Sequence, residues 1–314
     1  PFLHLPFAYK AMEAGKHVIC DKPLTGYFGD ETDEKPVGDK VSKAKMYERI
    51  LKDLKEAKEK IGNSDKLFMY AENYIYSPAI VKAAEILRKK KSRVIYMNAE
   101  CSVHGSTSPL SKDWSLVGGG SIMRLGSHPI AGVLYLKQVE SEIRGYKIKP
   151  VSVVADTGRI VADFPEEDKK HILSKFNDVE DFGHITLTFS DGTKAVILSS
   201  EHYMGGIQNH INLITNDGVL ECLMTPPNNM RSFFMDDEGL DDVYISENLK
   251  CKTGWNNVFV AEETLRGYTA ELQAFAEDVA YNREPESGID IALETTKIMY
   301  AAYLSAEKGR RIEL

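Results

Sequence analysis

Two clusters of residues could do chemistry. The first is HVICDKPLTG, residues 17–26, where the short apolar run Val18-Ile19-Cys20 ends in Asp21, Lys22 and Pro23. If the run is a buried strand, Lys22 lies just past its carboxyl end, where open α/β sheets bind their ligands. Pro23 fixes φ and stiffens the backbone there. An ammonium so placed can hydrogen-bond a reacting hydroxyl and stabilise developing alkoxide charge. In a nearly dry site its pKa falls, and it can also pass protons. The second cluster is GGGSIMRLGSHPI, residues 118–130, in which Arg124 and His128 stand four apart on helical spacing and so share a face. A histidine near its ordinary pKa of ~6.5 suits proton transfer at neutral pH. Arg124 offers a fork of donors for a carboxylate or phosphate, and a cation there lowers the histidine pKa. Otherwise Arg124 pairs with an acid such as Glu72 or Glu100 and touches no ligand, or the catalytic arrangement has shifted around it.

These clusters need elements to position them. FAYKAMEA (7–14) reads as a helix ended by Gly15, and HVIC as a buried strand. The charged run 30–60 opens as an exposed loop, GDETDEKPVGDK. It continues as an amphipathic helix whose apolar face is Met46, Ile50, Leu54, Ala57 and Ile61. KLFMYAENY (66–74) reads as a strand flanking Lys22. SPAIVKAAEILRKKK (77–91) reads as a helix with Ser77 as N-cap and Pro78 at its first position. RVIYMNAECSV (93–103) is β-rich, and 118–136 has helical spacing. From about Val151 hairpins take over, with turns at Ser190-Asp191-Gly192 and Asn216-Asp217-Gly218. Helices return at 268–281 and 290–309. The fold class is therefore α/β: α/β texture first, then a sheet-rich α+β portion with a largely antiparallel sheet. The texture changes near 92–98, which divides the chain into 1–97 and 98–314.

Composition excludes several functions. The chain has 314 residues and a net charge of -8, against a nucleic-acid or anionic-membrane partner. No apolar run approaches a membrane span, and no signal peptide opens the chain. Cys20, Cys101, Cys222 and Cys251 lie far apart without a CxxC pair, as buried or half-buried free thiols in a cytoplasmic protein. No metal site emerges; Glu100 and His104 share a strand face without helical ligand spacing. His202 and His210 stand in strand-like runs and read as core or interface.

AGKHVICDKPL resembles the AGKHVxxEKPL signature of the Gfo/Idh/MocA oxidoreductases, with Asp21 for the usual glutamate. GGGSIMRLGSHPI resembles their second signature, GGGxxxDxGxH, with Arg124 where the pattern has aspartate, and AAYLSAEKGRRIEL resembles their C-terminus. The resemblance implies a partial Rossmann-type dinucleotide-binding domain followed by an α+β substrate domain with a large open, mostly antiparallel sheet, and an NAD(P)-dependent dehydrogenase acting on a sugar, sugar acid or cyclitol. Lys22 and His128 would be catalytic, with Arg124 catalytic or gripping an anionic substituent. Asp21, Lys22, Pro23 and Asn73 would contact NAD or NADP. Tyr74, Tyr76, His104, Trp114 and Arg124 would line the substrate pocket. It further implies a homo-oligomer through the C-terminal sheet. Two alternatives accompany this reading: a glycosidase-type relative that oxidises its sugar transiently, and a non-catalytic homologue. The sequence contains no GxGxxG after a strand, and the resemblance places about two βαβ units before Pro1. The chain thus reads as N-terminally truncated, the alternative being a homologue that shed its cofactor half.

Overall fold

The protein is described by a computed structural model covering residues 1–106, 108–173, 176–225, 230–241, 243, 251–258 and 261–314. Helix α1 (His4–Glu13) leads into strand β1 (Val18–Asp21). A single turn α2 (Val37–Lys40), the long helix α3 (Lys43–Gly62) and strand β2 (Phe68–Ala71) follow. β2 pairs with β1 in parallel. All five apolar residues predicted for one face of α3 are buried. A 3-10 turn (Asn73–Tyr76) then enters α4 (Pro78–Lys90), capped by the Ser77 hydroxyl, which accepts from the Ile80 N–H.

β3 (Val94–Val103) opens the second sheet. After it come the turn α5 (Trp114–Val117), a π-helical turn (Ile122–Gly126) and α6 (Ser127–Arg144). Next in order are β4 (Pro150–Gly158), the turn α7 (Glu166–Lys169), β5 (Phe182–Phe189), β6 (Lys194–Ser200), β7 (Ile207–Thr215) and β8 (Gly218–Leu223). A small hairpin-like pair, β9 (Arg231–Phe234) and β10 (Gly254–Asn257), is followed by α8 (Glu262–Leu265), α9 (Tyr268–Tyr281), α10 (Ile289–Lys308) and β11 (Ile312–Glu313).

Seven strands form one sheet in the order β11-β4-β5-β6-β3-β7-β8. β3 and β6 run parallel, and the other described pairs in it are antiparallel. The fold class is thus mixed α/β with a large, mostly antiparallel sheet, as expected. Alternation along β7 buries Ile207, Asn209, Ile211, Leu213 and Thr215 on the face that α6 covers. Gly132 lets α6 approach closely, since a Cβ there would stand 2.5 Å from Ile211 Cδ1. α10 packs on α3, β2, β4 and α6, so the last long helix ties both sheets together. Among the described residues no helix is long and apolar enough to cross a membrane.

Three expectations need correction. The strand expected over 66–74 stops at Ala71, because Glu72 leaves extended pairing and its side chain accepts from Tyr74 N–H to start the 3-10 turn. The exposed loop at 29–40 contains α2, anchored by buried Val37 and by Gly38, whose N–H donates to Asp178 at 2.8 Å. Of the four free thiols, Cys251 is exposed rather than buried.

Candidate active site

Lys22 follows the carboxyl end of β1, as expected, with Asp21 accepting its backbone N–H at 2.8 Å. The ammonium crosses to the π-helical turn and donates to the Arg124 carbonyl oxygen at 2.6 Å. That turn shifts its hydrogen bonds out of α-helical register. Burial pushes the Lys22 pKa down, opposed chiefly by Glu72 and then by Cys101 and Asp21. His128 stands close by at the start of α6. Its Nδ1 lies 2.6 Å from Glu72 Oε1 and its ring stacks on Tyr74, centroids 4.5 Å apart and 16° from parallel. Burial lowers its pKa, and Glu72 opposes this. Glu72 is completely buried, whereas the His128 side chain keeps 12% exposure and Lys22 is partly exposed. The lysine and the imidazole are therefore the groups a ligand can reach.

The three glycines before the helix answer a need for space. Gly118 and Gly119 have φ of +80° and +151°. A Cβ on Gly119 would meet Tyr303 Oη at 2.2 Å, and one on Gly120 would meet the Glu180 carbonyl at 1.8 Å. Glu180 explains the close approach. Its carboxylate accepts from Gly120 N–H at 2.8 Å, from Ile122 N–H at 2.9 Å and from the Tyr303 hydroxyl at 2.8 Å. It caps the start of the helical run that carries Arg124 and His128. Burial raises its pKa to about 7.

Arg124 departs from expectation. Its guanidinium makes an ion pair of 2.8 Å with Glu201, which is completely buried at the end of β6, and sits 5.9 Å from the Phe176 ring. The paired acid is thus neither Glu72 nor Glu100. The π-helical turn places one extra residue per turn between Arg124 and His128, so ideal four-residue spacing does not hold. The cations that lower the His128 pKa are Lys22 and Arg266, not Arg124. Arg124 reaches the site through its carbonyl oxygen.

The other predicted residues divide. Pro23 is buried beside Lys22, and its carbonyl oxygen lies 2.7 Å from His4 Nδ1. Tyr74 belongs to the site as the platform under His128, its hydroxyl donating to Cys101 Sγ at 3.5 Å. Asn73, expected at a cofactor, uses its amide to donate to the Arg266 carbonyl at 2.8 Å. Tyr76, expected on a pocket wall, accepts from Ser287 N–H at 3.1 Å and packs edge-on against Phe275. Trp114 is also a core residue: its indole donates to the Tyr27 carbonyl at 3.0 Å, and the Lys43 ammonium stands 4.1 Å from its ring. His104 lies beyond β3, its Nε2 3.0 Å from the His171 carbonyl oxygen. His202 pairs with Asp181 at 3.2 Å, and His210 contacts Asn98 at 3.0 Å.

Sequence reasoning did not place Glu72 beside His128. It also passed over Glu180 and Glu271. The last is buried on α9 with one carboxyl oxygen lacking a hydrogen-bond partner. Burial, with Glu72 and Asp21 nearby, raises the Glu271 pKa to about 8. A signal for Glu72 did exist: an acid directly after an apolar strand run that also flanks the lysine strand.

Residues 82–221 match the family model described as the GFO/IDH/MocA C-terminal domain. Among solved structures, the chain is similar to GenD2 from gentamicin A biosynthesis in complex with NAD. The TM-score is 0.74 at 19% identity, covering 99% of this chain and 75% of that one. It is similar to myo-inositol 2-dehydrogenase from Lactobacillus plantarum, with TM-score 0.68 at 18% identity over 100% and 78% of the two chains. It is similar also to an aldose-aldose oxidoreductase from Caulobacter crescentus complexed with glycerol, with TM-score 0.64 at 19% identity over 100% and 76%. Residues 82–221 thus match a GFO/IDH/MocA C-terminal domain, in a chain that shares the fold of these dehydrogenase structures.

Proposed function

We propose that the protein is an NAD(P)-dependent dehydrogenase acting on a secondary hydroxyl of a sugar-like or cyclitol substrate. The observation that carries this reading is the meeting of Lys22 and His128, two proton-handling groups with partial exposure, beyond the carboxyl ends of parallel strands β1 and β2. A nicotinamide dinucleotide supplies the hydride acceptor when bound. The residues fit its reacting end: Asp21, Lys22 and Pro23 stand at the strand mouth, with the partly exposed His128 near the lysine. A glycine-rich phosphate loop is not in this sequence.

The chain's own groups divide the work. Lys22, held by the Arg124 carbonyl, presents its remaining N–H bonds to the substrate oxygen and stabilises the charge that develops there. His128 Nε2 takes the hydroxyl proton as the carbonyl forms. Burial lowers the pKa of both groups, which favours release of the protons they carry. The uncovered face of the seven-stranded sheet, with Tyr96 and Val154 exposed, would serve self-association.

The test is NADH or NADPH formation by the full chain against inositols and aldoses. Net formation is expected, and Lys22→Ala should lower kcat by ~10²–10³-fold with the fold intact. Bond cleavage without net reduced cofactor would favour the transient-oxidation alternative. Near-normal kcat in Lys22→Ala would overturn the assignment.

A further inference from the structure

We propose that Glu72 is the positioning residue for His128, taking from a neighbouring strand end the part that the family pattern gives to an aspartate four residues before the histidine. This rests on the reading of His128 as the proton acceptor. The position that would hold the aspartate is Arg124, and its side chain is engaged by Glu201. The imidazole nevertheless has a carboxylate partner, Glu72 Oε1, at 2.6 Å.

Glu72 is built for this part. It is fully buried, and its Oε1 also accepts from Tyr74 N–H at 3.5 Å. The Tyr74 ring then lies flat on the imidazole at 4.5 Å. One dipeptide step thus fixes both the edge and the face of His128. A carboxylate accepts, so Nδ1 carries the hydrogen and Nε2 keeps its lone pair. When Nε2 takes a proton, the imidazolium forms beside a charge already in place. Glu72 is also the largest favourable charge acting on Lys22. It therefore biases both ligand-facing groups without touching a ligand.

The groups facing this pair are few. Lys22 approaches from the end of β1, Cys101 from β3, Arg266 from the C-cap of α8, Glu271 from the first turn of α9, and Asp21 and Tyr70 from the two strands. Arg266 and Lys22 oppose protonation of His128, and Glu72 favours it.

The experiment reads His128 directly, in protein labelled with ¹⁵N-histidine, with His128→Asn to assign the signal. In the unsubstituted protein the Nδ1–H tautomer is expected; an Nε2–H tautomer would overturn the proposal, and this reading needs no substrate. Glu72→Gln should lower the His128 pKa further, since it removes the favourable charge. With substrate, kcat should fall ~10²-fold or more at little-changed KM, and its acid limb should move to lower pH. Glu72→Asp should recover part of both. A merely structural Glu72 would leave the tautomer and the limb where they are. If kcat in Glu72→Gln stays within about threefold, or falls with the His128 pKa unmoved and Asp no better than Gln, the proposal fails. If Glu72→Gln does not fold, the tautomer and the Glu72→Asp titration still decide. Near-normal kcat in Lys22→Ala, or no net reduced cofactor, with the predicted tautomer present would sink the dehydrogenase reading and leave the Glu72 assignment standing.

Discussion

Replacing Glu180 with glutamine should change how stability depends on pH. The carboxyl is buried, and its pKa rises from 4.5 to about 7, chiefly through burial. The folded protein therefore binds more protons than the unfolded chain between these values. Stability from this group is full below about pH 4.5 and is lost as pH rises toward 7, staying flat above. A difference of roughly 2.5 units corresponds to ~3 kcal/mol at 1.36 kcal/mol per unit. Glutamine removes that dependence. Its amide oxygen can keep the Ile122 N–H and Tyr303 hydroxyl bonds, but its NH₂ then faces Gly120 N–H. Losing that bond costs about 1–3 kcal/mol. Near pH 5 the variant should be clearly less stable than the parent. Near pH 8 the relief of charge burial offsets the lost bond, and the two should lie within ~1 kcal/mol. Urea unfolding in steps from about pH 5 to 8 measures this directly. Other acids with raised pKa, such as Glu271, are present in both forms and cancel in the difference. A stability difference that does not change with pH would refute the account of Glu180 as a buried titrating cap.

Three further outcomes follow from contacts described above. Gly119→Ala should destabilise by ~2 kcal/mol or more, because the new Cβ meets Tyr303 Oη at 2.2 Å at φ +151°; an unchanged urea midpoint would contradict the close approach. Arg124→Ala removes the cation from buried Glu201 and should cost roughly 3–5 kcal/mol, with much of it recovered in Arg124→Met/Glu201→Leu. If the single and double variants are equally unstable, the ion pair is not what matters. Because Glu201 neutralises Arg124, uronates should gain no advantage in kcat/KM over neutral polyols; a strong preference for acidic sugars across a substrate panel would show the guanidinium turning to the ligand.

Sequence patterns gave the elements where a single period ran unbroken. The stripe Met46, Ile50, Leu54, Ala57 and Ile61 has one explanation, and every member is buried. The two hairpins were legible because Asp191-Gly192 and Asp217-Gly218 interrupt alternating runs. Lys22 and His128 were legible as candidates because chemistry and motif agreed. What the sequence hid is long-range partnership. Nothing in local spacing says that Arg124 faces Glu201 or that Glu72 faces His128, since those pairs meet across different strands and helices. The π-helical turn was hidden too: spacing of four implies a common face only while the helix keeps its α period. Tyr76 and Trp114 misled because a large aromatic near a site serves a pocket or a core equally well by type.

Tyr300 and Tyr303 on α10 act at a distance along the chain that has consequences for assembly. The Tyr300 hydroxyl receives the Tyr27 N–H from 273 residues away and donates to the Gly118 carbonyl. Tyr303 holds Glu180, which holds the helical run bearing His128. The strand mouth that presents Lys22 and the helix start that presents His128 are therefore held in one place by an element far from both along the chain. Contacts so remote in sequence carry a high loop-closure cost before they repay it, which slows folding.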